Sequence, residues 1–563
     1  MKETISKIIS SELKQPEKEI LNLIEIPPNP KMGDFAFPCF SLAKTIKKNP
    51  VEIAKELSKK INKKLPKEVK EVKSVGAYLN FFINKNNLAE IFLKNVFEKD
   101  FGESNFGNKK IMVEFPSPNT NKPLHLGHLR NMAIGESVSR IIEYTGSKVI
   151  RANLNNDRGV HICKSMVAYD EFGEGETPEE KKVKSDHFVG NYYVIFSKKA
   201  KENPEYENKA QDYLRKWEAG DKKIIQLWKK MNKWALNGFK ETYKLFNIKH
   251  DKQYFESEIY NKGKEVVELG LEKKIFKKRA DGAIVIDLKK EGLGEKVILR
   301  ADGTSIYITQ DLYLAKLKYD EFNLDGSIYV VGNEQNFHFN VLFSILKKFG
   351  FKFSNKLHHL SYGMVELPEG RMKSREGTVV DADDFIHEIE GLSRAEIQAR
   401  NSELPKDELE KRAHLVALAA IKYMLLKIDF KKNMIFNPKE SISFEGDTGP
   451  YLLYSYARAN SILKKITKKI KKIKIPELKE PEIKLIKKIN EFPDVVKKSF
   501  EQLAPNVIAN YSFELSQIFN EFYHACPVIG SKEESFRLKL VDGFRIVLGK
   551  SLRLLGIETL EEM

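Results

Sequence analysis

The chain has 563 residues, 41% hydrophobic and 31% charged, the composition of a soluble globular protein with core for three or more domains. With 96 Lys+Arg against 79 Asp+Glu the formal net charge is +17, which points to a polyanionic partner, nucleic acid first, or to a generally lysine-rich proteome. Three widely spaced cysteines, Cys39, Cys163 and Cys526, exclude a disulfide framework and a CxxC metal knuckle and fit a reducing, cytoplasmic compartment; no apolar run is long enough to span a bilayer.

The opening "MKETISKIISSELKQ" sets Ile5, Ile8, Ile9 and Leu13 at helical spacing with charges between them, an amphipathic helix rather than a signal sequence. Residues 1–106 read as an α+β module. It holds the helical "NPVEIAKELSKKINKKL", with Pro50 near its start, then the β-rich "AYLNFFIN", then the Gly/Asn-rich linker "FGESNFGNKK".

Residues 107–383 read as an α/β domain. "KKIMVEF" is a short apolar strand that runs through a Pro/Asn loop into a helix from about Gly127 to Gly146, and "SKVIRANL" is the next strand; this is a βαβ unit. Residues 166–240 are polar and helical and form an insertion. Further strands are expected at "GAIVIDL", "KVILRADG", "SIYVVG" and "LHHLSYGMVEL". From 384 the chain turns all-helical, with a connecting region to 440 and a last domain over 441–563. Within it "LKKITKKIKKIKI" spaces Leu463, Ile466, Ile470 and Ile473 on one helix face and leaves lysines on the other, either a solvated face or a phosphate-facing stripe. "GFRIVLGKS" has one residue too many between its glycines for a phosphate-binding P-loop and lies in an apolar helical pattern, so it reads as core.

The stretch with most chemistry is "SPNTNKPLHLGHLRN", Ser117 to Asn131, after a strand and at a helix start. Ligands in an open α/β sheet bind at such a place, and a helix N-terminus offers free N–H groups and a positive dipole end to phosphate. His125 and His128, three residues apart, can donate to phosphate oxygens from one face, and Gly127 allows close approach of a ring or phosphate. As a metal site the pair lacks a third ligand of the right kind nearby, although His161 and Cys163 are read on the next strand. A histidine pair on an ordinary helix is the bland alternative.

"PLHLGHL" resembles the HIGH signature of class I aminoacyl-tRNA synthetases, and "GRMKSREGT", Gly370 to Thr378, resembles their second signature, the KMSKS loop. Within that class the match is closest to the arginyl-tRNA synthetase family and covers nearly the whole chain. "DGTSIYITQDL", "VVGNEQNFHF", "SFEGDTGPYLLYSYAR" and the ending "LRLLGIETLEEM" are similar to that family's segments, and "KMGDFAFPCFSLAK" to its N-terminal tRNA-binding module. The resemblance implies a Rossmann-like catalytic domain with a helical insertion and an all-helical anticodon-binding domain. It implies activation of L-arginine with ATP, magnesium travelling with the nucleotide, and transfer to the 3′ end of tRNA. It implies a cytoplasmic monomer with no structural metal.

It also implies residues. Lys122, His125, His128, Lys373 and Arg375 take catalytic places; Gly127, Gly332, His338, Met372 and Ser374 join them around ATP; Glu114, Ser117, Asn119, Tyr307, Asp311 and Gln335 surround arginine. Two acids with polar neighbours suit a planar cation with five donors. By analogy Glu114 reads the α-amino group and Asp311 the guanidinium. On local grounds Asp311 also reads as the N-cap of "LYLAKLKY". Two departures stand out. Ser374 occupies the place of the usual second loop lysine; the resemblance offers Lys122 before the first signature as its substitute, or Lys373 and Arg375 on either side of Ser374 as cations that share the load. "NDRGVH" stands where the family commonly has Gly-Asp-Trp-Gly, putting Arg158 in place of tryptophan. The alternatives are another class I synthetase, a small-molecule nucleotidyltransferase and a non-catalytic tRNA-binding relative.

Overall fold

The computed structural model describes residues 1–303, 306–368, 380–466 and 473–563. Contacts divide the chain into two compact units. One combines Met1–Phe101 with Ile462–Phe492 and Gln517–Val547; the other combines Gly102–Ser461 with Pro493–Ser516 and Leu548–Met563.

In the first unit the helix Lys2–Leu13 buries Ile5 and Ile9, as their four-residue spacing predicts. The helix Pro50–Ile61 starts where Asn49 caps it, the side chain accepting from Val51 N at 2.9 Å, with Pro50 in the first position, which needs no donor. It buries Ile53, Ala54, Leu57 and Ile61 and packs on a three-stranded antiparallel sheet. That sheet has the order β1-β3-β2, with β1 at Phe35–Pro38, β2 at Val69–Val75 and β3 at Tyr78–Ile83. Among the helices of this unit, Arg537 and Glu482 form a buried ion pair at 2.8 Å.

The second unit is built on a five-stranded parallel sheet. Its strands are β4 (Lys110–Glu114), β5 (Lys148–Asn155), β6 (Lys252–Phe255), β10 (Gly326–Gly332) and β11 (Leu357–Tyr362), in the order β11-β10-β4-β5-β6. Glu114 at the end of β4 stands opposite Ala152 of β5 and Tyr329 of β10. Val113, Val330 and Ala152 are fully buried, the two-sided burial that a parallel sheet between helices requires. Between β4 and β5 runs the helix Leu126–Tyr144, hereafter the signature helix. Between β5 and β6 lie the helices of the insertion, from Val160 to Leu245, around a core of Met166, Tyr169, Phe188, Tyr192, Phe196 and Trp234.

The expected α/β domain is present with strands at each of the expected places, and two details go beyond the sequence reading. "GAIVIDL" and "KVILRADG" become β8 (Ile284–Leu288) and β9 (Gly294–Leu299), which with β7 (Lys277–Lys278) form a separate antiparallel sheet rather than part of the parallel one. "LHHLSYGMVEL" divides into β11 and a second strand, β12 (Val365–Glu366), which pairs with β13 (Met434–Ile435). The division falls at Gly363, whose N donates to Phe430 O at 2.8 Å; a Cβ there would come 2.5 Å from the Lys432 carbonyl. "GFRIVLGKS" is helical within Glu534–Leu554, with Phe544, Val547 and Leu548 buried, as a core reading requires. The lysine-rich stripe after Leu463 falls largely on 467–472, outside the described residues.

Candidate active site

At the C-terminal edge of the parallel sheet the strand order reverses. From β4 the chain moves to β5 and β6 on one side and later to β10 and β11 on the other. Loops leave the strand ends in opposite directions there and open a crevice. The HLGH turn leaves β4 at this edge. His125 is the N-cap of the signature helix, with extended backbone at φ −137° and ψ 172°. Its Nδ1 accepts from Gly127 N at 3.1 Å, and His128 Nδ1 accepts from His125 N at 3.1 Å. The two ring centroids are 3.9 Å apart. Burial pushes His125 down to about 3, with Lys122 adding to the shift and Asp381 opposing it; burial, then His125 and Lys122, hold His128 well below the ordinary histidine range. Both imidazoles are therefore neutral at pH 7. Because each Nδ1 accepts, the remaining proton sits on Nε2, and the turn offers two uncharged N–H donors beside the positive dipole end of the helix, whose own first N–H groups are already paired. A Cβ on Gly127 would lie 2.9 Å from His125 Cε1, so this glycine makes room first for the histidine ring.

Lys122 is half-buried, and burial lowers its pKa. With His125, His187 and Asp381 it lines a cavity of about 220 Å³. Residues 380–382 run along the turn: Leu126 N donates to Val380 O at 3.1 Å and Ala382 N to Leu124 O at 3.0 Å. Next to this bridge, Asp186, His187 and Asp383 have the donor types and closeness of a metal site. The cation there is Lys184, which pairs with Asp186 at 3.3 Å and with Asp383. Against the opposing effect of burial, Asp381 and Asp383 push His187 up to about 10, so it too is a cation. Met372, Lys373, Ser374 and Arg375 lie outside the described residues. His161 and Cys163 lie on the helix Val160–Phe172 and not on a strand, because β5 ends at Asn155; the Cys163 thiol is buried in the insertion core.

The carboxylates lie on neighbouring elements. The helix Tyr307–Phe322 begins earlier than the sequence suggested, with Ile306 at its cap, so Asp311 is one turn inside it, on the face of Tyr307, and caps nothing. Asp311 Oδ2 meets His338 Nε2 at 2.6 Å; burial opposes protonation of that ring, and Asp311 more than offsets it, so the His338 pKa rises. His338 follows Gly332, the last residue of β10, and Gln335, which is exposed. Glu114 is buried and paired with the fully buried Lys318, whose ammonium also sits 4.6 Å from the Tyr329 ring centroid. Ser117 has φ 65° and accepts at its carbonyl from Asn156 Nδ2 at 3.1 Å; Asn119 is exposed and bridges to Asn156.

Three residues that the sequence reading passed over join this edge. Lys318 neutralises Glu114 from 204 positions away. Arg130 is fully buried on the signature helix and donates to Met364 O at 2.7 Å, Lys432 O at 2.8 Å and Phe430 O at 3.3 Å, fastening that helix to the β12–β13 junction. Glu256 heads the short helix after β6 and is 5% exposed. It shares a cavity of about 680 Å³ with Tyr307, Gln310, Tyr260 and Arg158. Burial pushes its carboxyl up to about 7, with Arg158 pulling it down and Asp157 and Asp311 pushing it further up. Nothing local in "YFESEIY" marks this glutamate; the packing of its helix on Tyr307–Phe322 reveals it.

Comparison with known proteins matches this architecture. The family profile described as "tRNA synthetases class I (R), catalytic domain" covers residues 90–438. The "Arginyl tRNA synthetase N terminal domain" covers 1–83, and the "DALR anticodon binding domain" covers 452–563. The chain is 47% identical over 558 residues to the arginine–tRNA ligase of Treponema denticola, spanning 96% of this chain and 94% of that one. It is 42% identical over 562 residues to the arginine–tRNA ligase of Parabacteroides distasonis, spanning 94% of each. Among solved structures, the arginyl-tRNA synthetase of Thermus thermophilus superposes over the full length of both chains with a TM-score of 0.85 at 27% identity. With the two neutral histidines at the sheet's switch point and these three matches in chain order, the chain belongs to the arginyl-tRNA synthetase family of class I aminoacyl-tRNA synthetases.

Proposed function

We propose that this chain is an arginine–tRNA ligase that forms arginyl-adenylate from L-arginine and ATP, releases pyrophosphate, and passes the arginyl group to the 3′-terminal ribose of its tRNA. The observation that carries the proposal is the likeness to arginine–tRNA ligases over nearly the full length of the chain. In the first step the arginine carboxylate attacks the α-phosphorus while the bond to pyrophosphate breaks. Such a displacement needs positioning and charge neutralisation more than acid–base chemistry. His125 and His128 donate Nε2–H to the phosphates, Gly127 and the signature helix start lie against the nucleotide with Gly332 and Met372, and Lys122, Lys373, Ser374 and Arg375 hold the leaving group. His338 acts from the nucleotide side and also orients Asp311, its partner at 2.6 Å. ATP arrives with magnesium as substrate.

On the amino-acid side, Asp311, Tyr307 and Glu256 receive the guanidinium. Ser117, Asn119 and Gln335 hold the amino-acid end, and Glu114 acts there through the buried pair it makes with Lys318. Residues 1–106 serve as a tRNA-binding module, 107–383 as the catalytic domain, 384–440 as a helical connection and 441–563 as the anticodon-binding domain. The enzyme works as a cytoplasmic monomer. No described helix is long and apolar enough to cross a membrane.

ATP–pyrophosphate exchange assayed with each of the twenty amino acids, with and without tRNA, is expected to respond to arginine. Exchange driven by another amino acid, or by none, refutes the assignment. Asp311→Asn is expected to raise the arginine KM about tenfold, the loss of one charged contact to a cation, and to leave the ATP KM within about twofold. The reverse pattern would move Asp311 to the nucleotide.

A further inference from the structure

Arg158 stands where the family's wording has tryptophan, and its surroundings show what the exchange brings. Its guanidinium lies on the Tyr260 ring at 4.1 Å and near the Trp217 ring at 5.4 Å, so it fills an aromatic niche as a flat group. One edge is spent on Glu218, at 2.5 Å. The other faces Glu256, with Nη1 3.8 Å from Oε1, and side chains on both sides of this contact are almost wholly buried, at 10% and 6% exposure. At 3.8 Å the contact is electrostatic and leaves the Glu256 carboxylate, which also accepts from the Gln310 side chain, with lone pairs for a closer, forked partner.

We propose that Arg158 is a positioning residue of the amino-acid pocket, a built-in counter-charge that fixes the Glu256 carboxylate as the receptor for the substrate's guanidinium. The proposal rests on the arginine-ligase reading and adds to it the reason why a cation is built into a cation's pocket. Glu256 is faced by Asp157 and Arg158 from the loop after β5 and by Gln310 and Asp311 from the helix Tyr307–Phe322. Lys264, Arg300 and Asp302 complete the wider cavity. Burial and two neighbouring acids favour the protonated carboxyl, which cannot receive a guanidinium; Arg158 is the largest influence in the other direction. The pairing of Arg158 with Glu218 keeps its own charge from repelling the incoming substrate.

The test measures the arginine KM of full-length wild type, Arg158→Met, Arg158→Gln and Arg158→Lys from pH 6.5 to 8.5 by tRNA-supported ATP–pyrophosphate exchange. If the counter-charge shifts Glu256 by about one unit, both neutral variants raise the arginine KM about eightfold at pH 6.5 and less than twofold at pH 8.5. Arg158→Lys stays near wild type, and the ATP KM does not move. An equal change at every pH, a Lys variant as impaired as Met, or no change overturns the proposal while arginine-dependent exchange by the wild type upholds the ligase assignment. A wild type without arginine-dependent exchange overturns both. Should Arg158→Met fail to fold, Arg158→Gln, which keeps a donor toward Glu218, carries the same comparison.

Discussion

Lys122→Ala is expected to slow arginyl-adenylate formation by about 100-fold or more, the scale of removing one transition-state charge stabiliser. Charge builds on the pyrophosphate leaving group as its bond to the α-phosphorus breaks, and a full positive charge must stand near it. The two signature histidines cannot supply one. Burial, with Lys122 beside them, holds both far below the ordinary histidine range, and their Nδ1 atoms are already taken by backbone N–H groups. They contribute hydrogen bonds, and the helix start adds only a partial charge. The second signature has Ser374 where a lysine is usual, which leaves Lys122, on the same turn as His125 and on the wall of the same small cavity, as a described ammonium whose charge reaches both histidines. Burial also makes it a more effective neighbour, since a charge at low dielectric acts more strongly. Single-turnover adenylate formation at saturating ATP and arginine checks this. A mild Lys122→Ala with a severe Lys373→Ala would transfer the role to the downstream loop. Lys122→Arg is expected to recover part of the rate, because the charge returns with a different reach.

What the sequence made legible was local. The HLGH turn could be placed because its strand, cap and helix lie within a few residues of one another, and the same holds for Asn49 and Pro50 at the start of their helix. Apolar runs marked strands reliably but not their partners. "GAIVIDL" looks no different from "KKIMVEF", yet the first pairs antiparallel in a separate sheet and the second runs up the middle of the parallel one. Asp311 was ambiguous because a helix start is hard to fix from sequence; a shift of five residues decides whether this aspartate caps a helix or projects from it. Lys318 and Glu256 were invisible for a plainer reason. A lysine amid apolar helix residues reads as an exposed one until the fold sets it beside Glu114, and a glutamate after a short strand has no signature until helix packing carries it to Tyr307.

Glu256→Gln is expected to raise the arginine KM about 100-fold at pH 8, within the roughly 2–5 kcal/mol lost when one partner of a buried charge pair is removed. It is also expected to flatten a pH dependence that the wild type shows. Burial places the wild-type carboxyl at about 7, so it is an anion above neutrality and takes up a proton as the pH falls. Only the anion can pair with a guanidinium, and at pH 6 about one molecule in ten carries it. The wild-type arginine KM is therefore expected to rise about tenfold between pH 8 and pH 6 with the ATP KM steady. The amide has no such proton to gain, and its KM, high throughout, is expected to change less than about twofold over the same range. A second titrating group stands nearby and could imitate the effect: His338, raised by Asp311 against burial, gains its proton as the pH falls and binds Asp311 more firmly. The variant separates the two. If the slope persists in Glu256→Gln, the proton belongs to the His338–Asp311 pair and Glu256 is not the group that reads the guanidinium. If the slope vanishes while KM stays high, the substrate's cation is read by a carboxylate that the sequence alone left unmarked.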